Sequence, residues 1–340
     1  MKIQLAHKFE EIISLDNLLL AWQEFVKGKK SKPDVQEFSL RLFDNILALH
    51  NSLANKSYRH GGYKSFYIND PKRRHIHKAS VRDRLLHHAV YRILYPFFER
   101  IFIPDSYSCR LNKGIHRALN RFRNFAFAES KNHTRTCWVL KIDIKKFFAS
   151  IDHEILSRIL SGYIKDNDVR WLLREIIESF NSTTGARVGL PLGNLTSQLF
   201  ANIYLNPFDQ WVKHNLKVKH YLRYADDMVF LSADKQFLIN ILSEIKNFLQ
   251  DNLKLNVHPD KIIIKTIASG VDFLGWLHFP AHRILRKSTK RRMFSRIKIS
   301  PNNQTLQSYL GLLSHGDTFK LQTELRKQYG LNNFYSFKFV

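Results

Sequence analysis

The chain has 340 residues and a formal net charge of +25, from 54 Lys and Arg against 29 Asp and Glu. Its apolar share of 44% is ample for a core and excludes a disordered chain. A cationic excess of this size points to a polyanion; no stretch is apolar enough to span a bilayer, and the first twenty residues carry acids where a signal peptide carries none, so nucleic acid is favoured over a membrane.

Leu15, Leu18, Leu19, Trp22, Phe25 and Val26 recur at helical spacing, ended by Gly28 and a polar run to Pro33. Val35, Phe38, Leu42, Ile46 and Leu49 predict one second amphipathic helix. Gly61-Gly62 opens a β-prone piece from Tyr63 to Ile68. Residues 56–84 are strongly basic and interleaved with Tyr58, Tyr63, Phe66 and Tyr67, a mixture that binds phosphates and stacks bases. Strand alternation there predicts Lys72 and Arg74 on one face. A charge run is more often a solvated face; the aromatic residues argue against that here. Residues 83–102 are helical, and residues 106–127 are basic again, with Arg110 and Lys113 among their cations.

Trp138 to Ile144 reads as a short apolar strand with Asp143 near its end. Ser150-Ile151-Asp152 supplies helix-start residues, and a further helix is expected over residues 168–180. A glycine-punctuated loop from Gly185 to Gly193 leads into a helix over residues 194–205. Tyr221 to Ser232 then places two apolar, β-prone arms around Asp226-Asp227, which predicts a hairpin with both carboxylates at its tip. Such a like-charged pair needs a compensating cation, and a hard divalent ion suits carboxylate oxygens. Taken alone, the stretch also reads as a solvated turn. A helix follows from Phe237 to Leu249, and residues 271–276 read as a strand and turn. Residues 282–298 hold eight Lys and Arg and no acid, among them Arg286, Lys290 and Arg291, and a helix over residues 306–313 ends near Gly316. The sharpest composition shift lies near Pro280. Cys109 and Cys137 give neither a disulfide framework nor zinc spacing, which fits a reducing, intracellular compartment, and the sixteen histidines are too scattered to assign a zinc site.

Asp143 and Asp226 both stand at strand ends. In neighbouring strands they would hold two divalent ions about 4 Å apart, the clamp used for in-line phosphoryl displacement. Alone, Asp143 reads more readily as a capping or ion-paired residue. Val139-Leu140-Lys141-Ile142-Asp143-Ile144, the run from Leu190 to Gln198, Tyr224-Ala225-Asp226-Asp227 and Phe273-Leu274-Gly275 together resemble the successive motifs of reverse transcriptases, in that order. Lys72-x-Arg74 and Arg82-Asp83-Arg84 resemble motifs of the fingers, so the likeness covers nearly the whole chain.

This resemblance implies an α+β right hand. N-terminal helices and fingers would span 1–135, and a ferredoxin-like antiparallel palm 136–280, with a fingers-type insertion at about 153–190. A small helical thumb would span 281–340. It implies RNA-directed DNA synthesis by a cytoplasmic enzyme, bacterial or phage-encoded, that uses template RNA, nascent cDNA and dNTPs. Asp143, Asp226 and Asp227 match the carboxylates that hold two Mg²⁺ (or Mn²⁺), with the Ile144 carbonyl as a further ligand. Lys72 and Arg74 match the triphosphate grip, Phe148 the side chain that blocks a ribose 2′-hydroxyl, and Lys261 the base near the leaving pyrophosphate. Arg82, Arg84, Arg110, Lys113, Arg286, Lys290 and Arg291 are the expected nucleic-acid contacts.

Within the family, many enzymes carry Gln where this chain has Leu192 and Pro where it has Gln198. The run Gly189 to Gln198 looks most like the enzymes of diversity-generating retroelements, which make errors opposite adenine and work with a small basic accessory protein. Neither Asn-Ala-x-x-His nor Val-Thr-Gly, expected of a retron enzyme, is found, and no maturase or endonuclease domain follows the short thumb, which disfavours a typical group II intron protein. A catalytically silent RNA-binding scaffold would have lost a palm carboxylate; here all three stand.

Overall fold

The computed structural model describes residues 3–69, 72–183 and 185–329. It opens on α1 (Phe9–Ile13) and α2 (Leu15–Phe25), which meet at Ser14, whose hydroxyl accepts the Asn17 amide and caps α2. The single helix expected next is two, α3 (Pro33–Leu40) and α4 (Leu42–Ala54), because Arg41 leaves the helical region at φ −124°, ψ 47°. The apolar spacing runs unbroken across the joint, so periodicity alone does not reveal it.

β1 (Lys64–Ile68) and β2 (Arg74–Lys78) form an antiparallel pair with Phe66 opposite Ile76. Arg74 opens β2, but Lys72 lies in the bend before it, so the two do not alternate along one strand as expected. α5 (Val81–Glu99) and α6 (Ile115–Glu129) follow.

Next come β3 (Trp138–Asp143), α7 (His153–Ser161), α8 (Asn167–Glu178), α9 (Leu195–His214), β4 (His220–Tyr224), β5 (Asp227–Ser232), α10 (Lys235–Leu253) and β6 (Ile263–Thr266). The four strands pair in the order β4-β5-β3-β6, all antiparallel. With the first and third strands central and helices in both crossovers, this is the expected ferredoxin-like sheet. α9 runs past Leu205 and through Pro207, because Phe208, Asp209 and Val212 are buried beyond it. That burial outweighs the backbone bond the proline forfeits.

β7 (Val271–Phe273), β8 (Trp276–His278) and β9 (Arg283–Leu285) make a three-stranded sheet, followed by α11 (Lys287–Ile299), α12 (Asn303–Leu313) and α13 (Phe319–Gln328). The boundary expected near Pro280 falls inside this sheet, between β8 and β9. The composition shift marks the approach to a basic helix, not a break in the fold. Residues 330–340 of the expected thumb lie outside the described residues.

Alternation along the strands splits the core in two. Leu140, Ile142, Tyr221 and Phe230 face a cluster with α1, α2, α4, α5 and α7–α10. Val139, Leu222, Val229 and Leu231 face a second cluster built from α6, the three-stranded sheet and α11–α13. The four-stranded sheet is therefore covered on both faces, which leaves the strand ends to carry chemistry.

Candidate active site

Two central strands end together. Asp143, the last residue of β3, is the cross-strand partner of Asp227, the first residue of β5. Ala225 and Asp226 link β4 to β5, with Ala225 in the left-handed region at φ 53°. A two-residue hairpin link demands such a conformation, and Ala adopts it only under constraint. Asp226 thus sits at the tip as expected, whereas Asp227 lies within the ladder.

Two ammonium groups stand against the carboxylates. Lys261 Nζ donates to Asp143 Oδ1 at 2.6 Å. Lys141 Nζ lies 3.6 Å from Asp227 Oδ1 and donates to the Asp272 carbonyl at 3.0 Å. Burial, then the charge of Asp143, pushes the Asp226 carboxyl up to about 6. Burial also raises Asp227, with Lys141 offsetting part of the rise.

Among the described residues, no three His, Cys, Asp or Glu side chains are gathered closely enough to enclose an ion as they stand; the lysines hold two of the carboxylates instead. The donor set still fits hard divalent cations: three carboxylates at adjoining strand ends, one of them ionising with difficulty because it is buried and stands beside the charge of Asp143.

The hairpin tip is held from below by a network the sequence reading missed. Arg223 on β4 is fully buried, and each of its five N–H donors has an acceptor. Nε donates to Asp209 at 2.9 Å and Nη2 to Asp209 at 2.6 Å and Ser106 Oγ at 3.1 Å. Nη1 donates to Asn202 Oδ1 at 3.2 Å and to the Ala225 carbonyl at 3.0 Å. Tyr221 adds its hydroxyl to Asp209 at 2.7 Å. Burial alone would lower the Arg223 pKa; Asp209 overrides it and the guanidinium stays charged. An arginine at a buried position of an apolar strand was the available signal.

The other expected site residues fall into groups. Phe148 is half-buried in a short 3₁₀ turn just after β3, and its carbonyl accepts the Leu190 amide at 2.8 Å. Ile144 is buried and bridges Val257. The Leu192 carbonyl accepts the His77 amide at 2.9 Å, and Asn194 Nδ2 donates to the His77 carbonyl at 3.2 Å, so the loop before α9 anchors β2. Gln198 is exposed on the first turns of α9, and Lys72 and Arg74 are exposed on the hairpin.

Asp83 is a buried hub, accepting from Tyr58 Oη at 2.8 Å, Ser80 Oγ at 2.7 Å and the Gly61 amide at 3.1 Å. A Cβ on Gly61 would stand 2.8 Å from Asp83 Oδ2, which explains a glycine there. Arg82 joins this hub through Asp83 Oδ1 at 3.3 Å, and Arg84 donates to Asp34 at 2.5 Å. Arg110 is buried, forks onto Glu99 at 2.7 and 2.8 Å and reaches the Ile103 and Ser106 carbonyls. Its guanidinium is committed to the protein interior, which corrects the expectation that it meets nucleic acid. Lys113 reaches the Pro104 carbonyl at 2.8 Å, and Arg286 pairs with Asp272 at 3.0 Å. Lys290 and Arg291 are exposed on α11.

Comparison with known proteins agrees with this geometry. The family model for reverse transcriptase (RNA-dependent DNA polymerase) matches residues 68–278. Protein YkfC of Escherichia coli K12 is 26% identical over 288 residues, 74% of each chain. The group II intron-encoded protein LtrA of Lactococcus lactis is 24% identical over 306 residues, 68% of this chain and 49% of LtrA. This chain therefore spans about half the length of LtrA. Among solved structures, telomerase from Candida albicans, in complex with a fragment of telomeric RNA, superposes with a TM-score of 0.51 at 10% identity over 80% of this chain and 55% of that one. Apo telomerase from Candida tropicalis gives 0.50 at 14% identity over 72% and 60%. These likenesses speak for the right-hand fold. With the family model matched over residues 68–278 and the aspartates of its motifs meeting at adjoining strand ends, the chain belongs to the reverse transcriptase family of RNA-dependent DNA polymerases.

Proposed function

We propose that this chain copies an RNA template into cDNA, joining dNTPs by in-line phosphoryl transfer at Asp143, Asp226 and Asp227. The observation that carries the reading is the register of Asp143 against Asp227, with Asp226 at the adjoining turn. Two Mg²⁺, or Mn²⁺ in their place, would be held by these carboxylates and the Ile144 carbonyl, and when bound lower the pKa of the attacking hydroxyl and neutralise the leaving pyrophosphate. Lys261, which pairs with Asp143 here, would be the base that meets that pyrophosphate. Phe148 closes the space beside the sugar. Lys72 and Arg74 on the exposed hairpin grip the triphosphate, and Leu192 and Gln198 line the nascent pair. Arg82, Arg84, Lys113, Arg286, Lys290 and Arg291 remain as cations for template and cDNA, and Arg286, Lys290 and Arg291 are exposed. Among the described residues no helix is long and apolar enough to cross a membrane.

The run from Gly189 to Gln198 supports a diversity-generating retroelement working with a small basic accessory protein. The likeness to LtrA supports a second reading, an intron-type lineage. Near-identical repeats in the flanking DNA that differ mainly at adenines would separate the two.

The test of the chemistry is Asp226→Asn, which keeps the shape and removes the charge. Primer extension on RNA should fall by several decades, each 1.36 kcal/mol of lost transition-state stabilisation being about tenfold. RNA binding should be retained. Near-normal extension in Mg²⁺ would overturn the assignment.

A further inference from the structure

Lys141 is the one cation of β3, and alternation turns it into an apolar layer. Val139, Lys141 and Asp143 share one face of the strand. Val139 and Val229, the residue directly across from Lys141, belong to the cluster that the three-stranded sheet and α11–α13 cover. Phe273 of β7 lies in the same layer, its ring centroid 6.0 Å from Lys141 Nζ. The Lys141 side chain is only 17% exposed. An apolar side chain would fill this position without a desolvation cost, whereas an ammonium taken out of water must recover its hydration from the groups around it.

Two groups supply that. Asp227 stands on the diagonal across the β3–β5 ladder, where a long side chain reaches, and its Oδ1 is 3.6 Å from Nζ. From the other side, the Asp272 carbonyl accepts a hydrogen bond from Nζ at 3.0 Å. That carbonyl is itself fixed. Asp272 pairs with Leu277 of β8, and its carboxylate takes Arg286 Nη1 at 3.0 Å. Ahead of β7, the Ile267 amide donates to the Cys137 carbonyl at 2.9 Å, where β3 begins. The segment is thus tied to β3 at both ends, and Lys141 is the tie beside the carboxylates.

Lys261 is placed differently. It reaches Asp143 from a short 3₁₀ turn with 40% of its side chain exposed, so it can withdraw into water when another ligand claims the carboxylate. Lys141 is held between two fixed groups inside an apolar layer and has no such exit. Among the described residues no other cation lies within ion-pair distance of Asp227.

We propose that Lys141 is a positioning residue of the polymerase site: it holds the Asp227 carboxylate in place beside Asp143, with the Asp272 carbonyl as its brace. The inference rests on the reading of Asp143, Asp226 and Asp227 as the site of phosphoryl transfer. Lys141 acts through Asp227, so it governs the rate of the chemical step and not the binding of dNTP. Misplacing a group at a reacting centre by about 1 Å costs up to about a hundredfold in rate.

The experiment uses the full chain, in excess over a primed RNA template, with dNTP titrated in single turnover and the folded fraction read by near-UV circular dichroism. Lys141→Met removes the charge and keeps the length, and Lys141→Gln takes its place if that variant does not fold. Lys141→Arg keeps the charge, and Lys265→Met, at an exposed lysine of β6, is the control. The rate constant should fall about tenfold in Lys141→Met with dNTP half-saturation unchanged, and recover to within about threefold of wild type in Lys141→Arg. Lys265→Met should behave as wild type. In crystals grown without metal, the Asp227 carboxylate should move by about 1 Å in Lys141→Met and keep its place in Lys141→Arg. A wild-type rate constant in the neutral variant, equal losses in Lys141→Met and Lys141→Arg, or an unmoved Asp227 carboxylate overturns the proposal. So does a reduced folded fraction at an unchanged rate constant, which makes Lys141 a packing residue, or a raised dNTP half-saturation in place of the rate loss, which places it at the nucleotide. Asp226→Asn, run alongside, separates this failure from that of the wider reading. If Asp226→Asn extends normally, both fall; an inactive Asp226→Asn beside a normal Lys141→Met strikes only the role of Lys141.

Discussion

The Arg223–Asp209 pair offers a sharp test, because it joins stability to the turn that carries Asp226. Both side chains are essentially inaccessible, at 1% and 0% exposure, and all five guanidinium donors are engaged. Asp209→Asn keeps the shape and leaves a buried cation without its counter-charge. Breaking a buried pair in this way costs about 3–5 kcal/mol. With unfolding entropy of roughly 2.1 cal/mol/K per residue, that lowers the melting temperature by about 4–7 °C for a cooperative chain of this length. Asp34→Asn, at a carboxylate 36% exposed and paired with Lys78 and Arg84, should cost about 1 kcal/mol or less. The double variant Asp209→Leu with Arg223→Met replaces the pair by apolar groups and should recover most of the lost stability. It should not recover the hold on the Ala225 carbonyl, so extension measured well below both melting points should stay down by about tenfold, the worth of one hydrogen bond from a charged donor. Urea midpoints and single-turnover extension give the two readouts. If Asp209→Asn costs less than 1 kcal/mol, or if the double variant extends primers normally, the network neither bears the stability nor positions the turn.

Phe148→Ala should raise ribonucleotide over deoxyribonucleotide incorporation by on the order of tenfold, with template binding unchanged; an unmoved ratio in side-by-side extension would make Phe148 a packing residue. Leu192→Gln should lower misincorporation opposite template adenine by roughly five- to tenfold, the worth of one neutral hydrogen bond, and sequencing cDNA from one RNA by both enzymes checks it. Equal error rates would shift suspicion to Gln198. Burial lowers the pKa of His87 from 6.5 to about 3. Its neutral form therefore contributes stability that is full above pH 6.5 and lost as pH falls toward 3. His87→Gln should flatten the acid limb of a stability–pH profile by about 1.4 kcal/mol per pH unit in that window, and an unchanged slope refutes the assignment.

The carboxylates were legible because each is written into a local pattern. Asp143 ends an apolar strand and Asp226 interrupts two, so alternation and strand length place them without knowledge of the fold. Their lysines were legible unequally. Lys261 was named from its motif, whereas Lys141 reads as one cation in a strand, and only the β3–β5 register brings it to Asp227. Arg223 and Arg110 show the limit more clearly. Nothing in the local pattern separates a guanidinium that forks onto a carboxylate from one that meets a phosphate, because the deciding carboxylate is brought by packing: Asp209 comes to Arg223 from α9, and Glu99 to Arg110 from the end of α5. Short elements escaped for another reason. β6, with four residues, and β9, with three, are too brief for a period to show, and α13 buries only Leu325. The two-helix reality behind the expected second helix was hidden because Arg41 changes direction without disturbing the apolar register.

The anchoring of β2 at the loop before α9 makes that loop a mechanical joint. The hairpin that carries Lys72 and Arg74 leans its backbone on the Leu192 carbonyl, and Gly193, at φ +112°, leaves a gap that a Cβ would close to 2.9 Å from Ile76. The peptide at 192–193 is therefore the point at which the backbone of β2 is fixed to the loop before α9. If Leu192 lines the nascent pair and Lys72 and Arg74 hold the triphosphate, as proposed above, the two roles are joined through one peptide unit. On the roles proposed above, a substitution that changes accuracy at Leu192 is expected to change nucleotide affinity with it.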